Sequence, residues 1–444
     1  MLQEFSKNDE IYDFIAVGAG PANLSLAIQA TEAEDGRADR WLILEKEREV
    51  RWHPGMILPG SRLDTHFVKD LITLTNPTSR FTFLNYLHDQ GKIEDFLNCG
   101  NTSPFRADFD RYIQWVAMRL GDRISNSTEV VSVDIDENGD YLVHAATAAG
   151  EAKIYRTRNV VVGVGFKPKA IGGLDLDHPR VLHSSDFLCK IGRTENFDVP
   201  GSVLVVGGGQ SAAELLNHLH VSTPHAVTGI VSDFGLMTKE GMAFINESYN
   251  GRFVDRFHDM TPAMREWFVA QRRNMNYGVV DSALIDELYN NCYYSANFED
   301  RAIEFLQFSK VTGATTADDG VTVRVENRET GEAYDRRFDY VVLACGYDAT
   351  YPFRLLRNIN TQQDALSLPR PVVNRDYSVE QGDNSPTIGK VYLNGGVSYS
   401  HGPAGDVLSV IAYRARDILT SIEATCAVKL ARPTKARRIP TAPD

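Results

Sequence analysis

Two glycine-rich turns in this chain have the residue types and spacing to hold phosphate. One reads Val17-Gly18-Ala19-Gly20-Pro21-Ala22-Asn23, the other Val206-Gly207-Gly208-Gly209-Gln210-Ser211-Ala212. Each follows a short apolar run and opens a stretch of helical periodicity. Glycine permits the tight strand-to-helix turn and lets backbone N–H groups approach a pyrophosphate, which then lies at the positive end of the helix. One such turn is a weak signal. Two, separated as in nested domains, predict two dinucleotides held face to face: a flavin and the nicotinamide that reduces it. Glu45 closes the apolar run 41–44. An acid about 20 residues or more past the glycines is placed to bind ribose hydroxyls.

The elements that must position these turns follow from the apolar pattern. Residues 11–31 predict a strand and its helix, and 41–44 a second strand. The segment 51–77 is rich in Pro, Gly, His and aromatic residues and is expected to fold over the cofactor. Helical spacing covers 81–89 and 108–120, and 130–145 and 153–164 alternate like strands. Asp198-Val199-Pro200-Gly201 marks a boundary. Beyond it come a helix over 211–220, a strand over 226–231 and an interruption over 237–291, rich in aromatics and asparagines, that reads as a substrate-pocket insertion. Strands resume at 311–325 and 337–344, and 341–347 reads as a buried strand returning to the first domain. Residues 401–425 form a glycine loop and an amphipathic helix, and the basic, proline-containing tail is expected to be disordered.

The predicted fold class is α/β: two nested Rossmann-like dinucleotide-binding domains with a smaller inserted substrate domain. The expected boundaries are 8–195 for the first part of the FAD domain and 196–240 for the first part of the NAD(P)H domain. The insertion spans 241–292, the second NAD(P)H part 293–338, the FAD-domain return with its C-terminal helix 339–428, and the tail 429–444.

Bulk properties narrow the function. The 444 residues suffice for two or three domains. A net charge of −13 provides no basic field for nucleic acid. No apolar run approaches the ~18 residues of a membrane span, and residues 1–10 have no apolar signal core. Five scattered cysteines without C-x-x-C fit reduced thiols in a cytoplasm and argue against a disulfide reductase. His53, His66 and His401 are not at ligand spacing, so no metal is expected.

With both turns placed, the chain resembles the class B flavin-dependent monooxygenases, and within them the microbial N-hydroxylases of ornithine or lysine side chains in siderophore biosynthesis. The resemblance runs over about residues 8–425. It rests on Gly18-x-Gly20-x-x-Asn23, Trp52-His53-Pro54-Gly55-Met56, Phe67-Val68-Lys69-Asp70-Leu71, Asn76-Pro77-Thr78-Ser79 and Phe83-Leu84-Asn85-Tyr86-Leu87. Later come the second glycine turn, Phe244-Ile245-Asn246-Glu247, Asn276-Tyr277, Cys345-Gly346-Tyr347, and His401-Gly402 with Leu408-Ser409. Each block is loose alone; their order and number are specific.

The resemblance implies FAD and NADPH as cofactors, O2 as co-substrate and a homo-oligomer, dimer or tetramer. It implies FAD contacts from Gly18, Gly20, Pro21, Asn23, Glu45, Trp52, His53, Met56 and Leu408, and NAD(P)H contacts from Gly207, Gly209, Gln210 and Ser211. Lys69 would bind the substrate α-carboxylate, with Asn246 and Asn276 hydrogen-bonding its α-amino and carboxylate groups. The flavin would carry the chemistry through a C4a-hydroperoxide attacked by the uncharged amine, which explains the lack of a Ser-His-Asp set. Ser409 would approach the reacting end.

Three departures bear on specificity. Relatives carry Gln where Asp64 stands, and an acid there could hold an ammonium or act as a base. Ser232-Asp233-Phe234 follows the strand that in many relatives precedes arginines suited to a 2′-phosphate. Asp233 suits a free ribose diol, so NADH stays open unless Lys239, Arg272 or Arg273 compensates. His401-Gly402-Pro403-Ala404-Gly405-Asp406 replaces a serine-containing loop. The alternatives are a putrescine or cadaverine N-hydroxylase, whose substrate would leave Lys69 without a carboxylate, and a non-catalytic flavin- or nucleotide-binding redox sensor.

Overall fold

The computed structural model describes residues 11–34, 38–194, 197–272, 278–299, 301–359, 370–382, 387 and 389–430. From 431 on, the tail expected to be disordered lies outside the described residues. The chain is an α/β protein in which each glycine turn follows a strand of its own sheet. In the first, the central strand Ile11–Val17 lies parallel to Trp41–Leu44 on one side and to Ala152–Val162 on the other. Its residues Phe14 to Val17 are buried on both faces, which is why the run is continuously apolar. The long strand Ala152–Val162 serves two partners in turn. Its start pairs antiparallel with Tyr141–Thr147, while its end, Val160 to Val162, pairs parallel with Val391–Leu393. Helix Pro21–Glu32 packs against the C-terminal helix Ile411–Leu430 and against Arg106–Leu120.

The second sheet has five parallel strands in the order Glu304–Leu306, Ala226–Ile230, Ser202–Val206, Tyr340–Leu343, Val181–His183. This corrects the expected return. Tyr340–Leu343 does not rejoin the first sheet; it lies between Ser202–Val206 and Val181–His183 in the second. Val391–Leu393 is the strand that goes back. A fully buried parallel strand is equally apolar in either sheet, so its pattern could not name its partner. Val181–His183, within the span expected to be all FAD domain, also belongs to the second sheet. A three-stranded antiparallel sheet, Ser309–Ala317, Gly320–Asn327 and Ala333–Phe338, packs Val321, Val323 and Val325 against Leu204, Val341 and Leu343.

The insertion has two attachments rather than one. Its first half leans on the FAD-domain side: Tyr249 and Val254 join the first core. Phe257 packs under Gly402, where an added Cβ would lie 3.0 Å from the ring. Its second half joins the other domain, with Val280 and Leu288 in the core beneath helix Gln210–Ser222. Among the described residues no helix is long and apolar enough to cross a membrane.

Candidate active site

The first glycine turn is braced from behind. Gly18 has φ +90°, and a Cβ there would lie 2.8 Å from the Gly163 carbonyl oxygen. Gly20 precedes helix Pro21–Glu32 with no side-chain cap, and Pro21 sits in the first helical turn. The first-turn N–H groups are therefore free to face a phosphate. Asn23 points inward: its Nδ2 donates to the Val17 and Gly18 carbonyls at 3.0 and 2.8 Å. Asn23 thus shapes the turn rather than facing out of it. Glu45 reaches the same turn, accepting the Ala19 N–H at 2.6 Å and the Glu47 N–H at 2.9 Å. Its two carboxylate oxygens thus accept one backbone N–H each, Oε2 from the turn and Oε1 from the segment after the strand.

The segment after the second strand forms the wall between the domains. Buried Asp110 accepts from Arg51 Nε at 2.9 Å and from the Trp52 N–H at 2.7 Å, fixing the turn. The Trp52 ring meets Phe109 edge-on at 5.1 Å. His53 is left-handed, φ 47°, and its side chain borders open space. Desolvation, and secondarily the Arg106 charge, push its pKa down to about 4, so the imidazole is neutral near pH 7. Met56 is buried in the second domain's core instead of lining the open cleft. At Gly55 a Cβ would meet the Ser185 carbonyl at 2.3 Å, so only glycine lets this turn seat there.

Lys69 follows on the same excursion. Its neighbour Asp70 is buried and accepts from the N–H groups of Ile72, Thr73 and Phe83 at 2.7–2.9 Å. Burial pushes the Asp70 pKa up, and these donors oppose it. Asp70 anchors the loop, and Lys69 is left half-buried with no ion pair among the described residues. Asp64 is exposed and paired with Lys239, which tethers the first domain's loop to the second domain. That pairing occupies both the expected base and one expected nucleotide cation. Desolvation lowers the Lys239 pKa, opposed by Asp281.

The second turn is built differently. Gly207 has φ +148°, and its Cβ would lie 2.3 Å from the Ala344 carbonyl. Gly209 precedes helix Gln210–Ser222, again without a side-chain cap. Gln210 spans two neighbours: Oε1 accepts the Asp281 N–H at 2.9 Å, and Nε2 donates to Glu214 at 2.9 Å. Glu214 in turn receives both terminal nitrogens of Arg106 at 2.7 and 2.8 Å. Arg106 belongs to the first domain and also donates to the Met56 carbonyl at 3.2 Å. This bidentate pair, its side chains 15 and 10 % exposed, joins the first domain to the helix that follows the second glycine turn.

Ser211 and Ser409 are half-buried, and Leu408 packs against the first core. Asn246 is exposed, its Nδ2 donating to the Gly241 carbonyl at 3.3 Å. Asp233 is exposed three residues beyond strand Ala226–Ile230, accepting the Phe234 N–H. Asn276, Tyr277 and Arg273 lie outside the described residues. No group of three His, Cys, Asp or Glu able to hold a metal occurs among the described residues.

Arg106 and Glu214 were missed by sequence reasoning. A signal existed for the first: Arg106 opens helix Arg106–Leu120, and a cation at a helix N-terminus is unfavourable unless something else holds it.

Both turns fit dinucleotides on geometry alone: a crowded glycine, an uncapped helix start and an acid just past the next strand. Comparison with known proteins agrees. Residues 10–349 match the profile of the L-lysine 6-monooxygenase/L-ornithine 5-monooxygenase family. The chain is 31% identical to the L-ornithine N(5)-oxygenase of Arthrobotrys oligospora, covering 95% of this chain and 90% of that one. It superposes on the ornithine N-hydroxylase of Kutzneria sp. 744, solved with reduced FAD, NADP+ and L-ornithine, with a TM-score of 0.88 and 32% identity, covering 94% and 99% of the two chains. The FAD-bound cadaverine monooxygenase of Erwinia amylovora gives a TM-score of 0.82 at 25% identity, covering 98% and 100%. The chain belongs to the L-lysine 6-monooxygenase/L-ornithine 5-monooxygenase family, as a flavin-dependent monooxygenase with one site for FAD and one for NADP.

Proposed function

We propose that this enzyme N-hydroxylates the side-chain amine of L-ornithine, supplying a hydroxamate building block of the kind used in siderophores. The observation that carries the substrate class is Lys69. It is half-buried, presented by an anchored loop, and unpaired among the described residues. A partly desolvated ammonium without a partner fits an amino acid's carboxylate and orients it. FAD at the first turn, reduced by NADPH at the second, activates O2.

The protein's own residues place and protect. Lys69 holds the carboxylate end, and Asn246 and Asn276 hold the α-amino and carboxylate groups. The amine at the far end must be uncharged to react, and a water-poor pocket lowers its pKa by desolvation. Arg106 and Glu214 set the distance between the two cofactor sites. Neutral His53 stands edge-on to the Trp52 ring and adds no charge there.

The test is a panel of ornithine, lysine, putrescine and cadaverine with FAD, NADPH and air, scored for hydroxylated product. Ornithine should lead. A diamine outpacing both amino acids would transfer the assignment to the class of the cadaverine enzyme. No hydroxylated product from any of the four would remove the reading.

NADPH is the proposed reductant, with Lys239 exchanging Asp64 for the 2′-phosphate; faster flavin reduction by NADH would reverse this. We also propose a homo-oligomer. Helix Pro262–Gln271 has no buried residue and exposes Met264, Trp267 and Val269, and helix Ser282–Phe298 exposes Tyr289, Tyr293 and Phe298. Such patches fit an interface between copies; a monomer in light scattering would contradict it. The five free thiols fit a cytoplasmic location.

A further inference from the structure

We propose that Arg414 is a positioning residue for FAD: a buried guanidinium that braces the first glycine turn from behind, with its charge balanced by the pyrophosphate. Arg414 lies on the core-facing side of helix Ile411–Leu430 and is 2 % exposed. Its Nε donates to Asn394 Oδ1 at 2.8 Å, and Nη1 donates to the Gly405 carbonyl. Asn394 Nδ2 donates to Asn23 Oδ1 at 2.9 Å, and Asn23 Nδ2 donates to the Val17 and Gly18 carbonyls. A continuous chain of hydrogen bonds therefore runs from the guanidinium to the backbone of the turn. Every side chain in it is buried.

Among the described residues no carboxylate lies within ion-pair distance of Arg414. Asp406, close enough to be felt, is already bound to the Val397 N–H at 2.9 Å. Burial lowers the Arg414 pKa, and Tyr377 and Asp406 oppose the shift. An unpaired buried cation is costly. A doubly charged pyrophosphate at the N-terminus of helix Pro21–Glu32 would offset that cost, because a field in the protein interior is weakly screened. The hydrogen-bond chain also holds the Gly18 carbonyl, so turn shape and charge are set by the same group.

The inference rests on FAD occupying the first turn, and the experiment separates the two. Apoprotein is titrated with FAD by flavin fluorescence and with NADP+ by calorimetry, for wild type, Arg414→Met, Arg414→Lys and Asn394→Asp. Failure of wild type to bind FAD would sink the underlying assignment. Given wild-type binding, Arg414→Met should weaken FAD about tenfold or more while leaving NADP+ affinity unchanged. Arg414→Lys, which keeps the charge, should recover part of that loss. Asn394→Asp sets a carboxylate against the guanidinium, cancels its field and gives up the donor to Asn23 Oδ1, so it should also weaken FAD; it decides the matter if Arg414→Met does not fold. FAD affinity within about twofold of wild type in the folded neutralising variant overturns the proposal, as does equal loss in the Met and Lys variants.

Discussion

The two glycine turns share a sequence pattern and differ in what stands behind them. The first is locked from the interior, by Asn23, Asn394 and Arg414, all buried. The second is held at the domain junction. Gln210 ties it to Asp281 and Glu214, and Arg106 reaches Glu214 from the other domain. Near it, the pair of exposed Asp64 and half-buried Lys239 makes a second crossing. The contrast matches a cofactor that stays against one that enters and leaves. A resident group is best gripped by a rigid frame; an exchanging one is best met by contacts that can open and close.

Breaking the second turn should have the largest effect. Gly207→Ala combines a positive φ with a Cβ 2.3 Å from a backbone oxygen, so a loss of about 3 kcal/mol or more is expected in denaturant unfolding. Gly208→Ala is its control. The nearest atom there is 3.9 Å away and the backbone is unstrained, so its cost should stay under about 0.5 kcal/mol. Arg106→Met leaves Glu214 with neutral Gln210 in place of a cation, at about 3 kcal/mol. It should slow anaerobic reduction of bound flavin by NADPH while FAD remains bound; flavin loss instead would show that the pair serves the first turn.

A titration sharpens the comparison from the other side. His401 packs against Tyr377 at 4.0 Å on the first domain's side, and burial pushes its pKa down from 6.5 to about 3. The unfolded chain takes up this proton as pH falls through 6.5, and the folded one refuses it until about 3. Stability from this group is thus complete above pH 6.5 and declines between 6.5 and 3, by at most about 1.4 kcal/mol for each pH unit. His401→Gln should flatten that decline in chemical unfolding; an unchanged slope would exclude His401 as its source.

Two smaller effects concern the substrate side. Lys69→Ala should raise the ornithine KM about 10- to 100-fold and leave putrescine turnover unchanged. Equal losses on both would show a structural lysine. Asp64→Asn removes an ion pair whose acid is exposed and should shift stability by about 1 kcal/mol or less. It should lower the KM for NADPH if Lys239 is thereby released to the 2′-phosphate.

Much of this frame was legible in the sequence. The strands Ile11–Val17, Trp41–Leu44 and Ser202–Val206 stand where the apolar runs put them, because a glycine turn or a charge ends each run. Tyr340–Leu343 was not legible, since apolar periodicity records burial and not the neighbouring strand. Lys69 was visible only through its surrounding block; nothing in one lysine distinguishes a ligand from a solvated side chain. Arg414 carried an unused signal. It follows Ile411 by three residues and precedes Ile418 by four, so helical spacing sets it on the apolar face. Arg106 and Glu214 lie far apart in sequence, and only the packing of two domains brings them together.

The most direct test is the ratio of N5-hydroxyornithine formed to NADPH consumed by the purified, FAD-loaded protein in air. Hydroxylated product should accumulate with NADPH oxidation and depend on ornithine. Sustained NADPH oxidation yielding hydrogen peroxide alone, with ornithine recovered intact, would contradict the N-hydroxylase assignment.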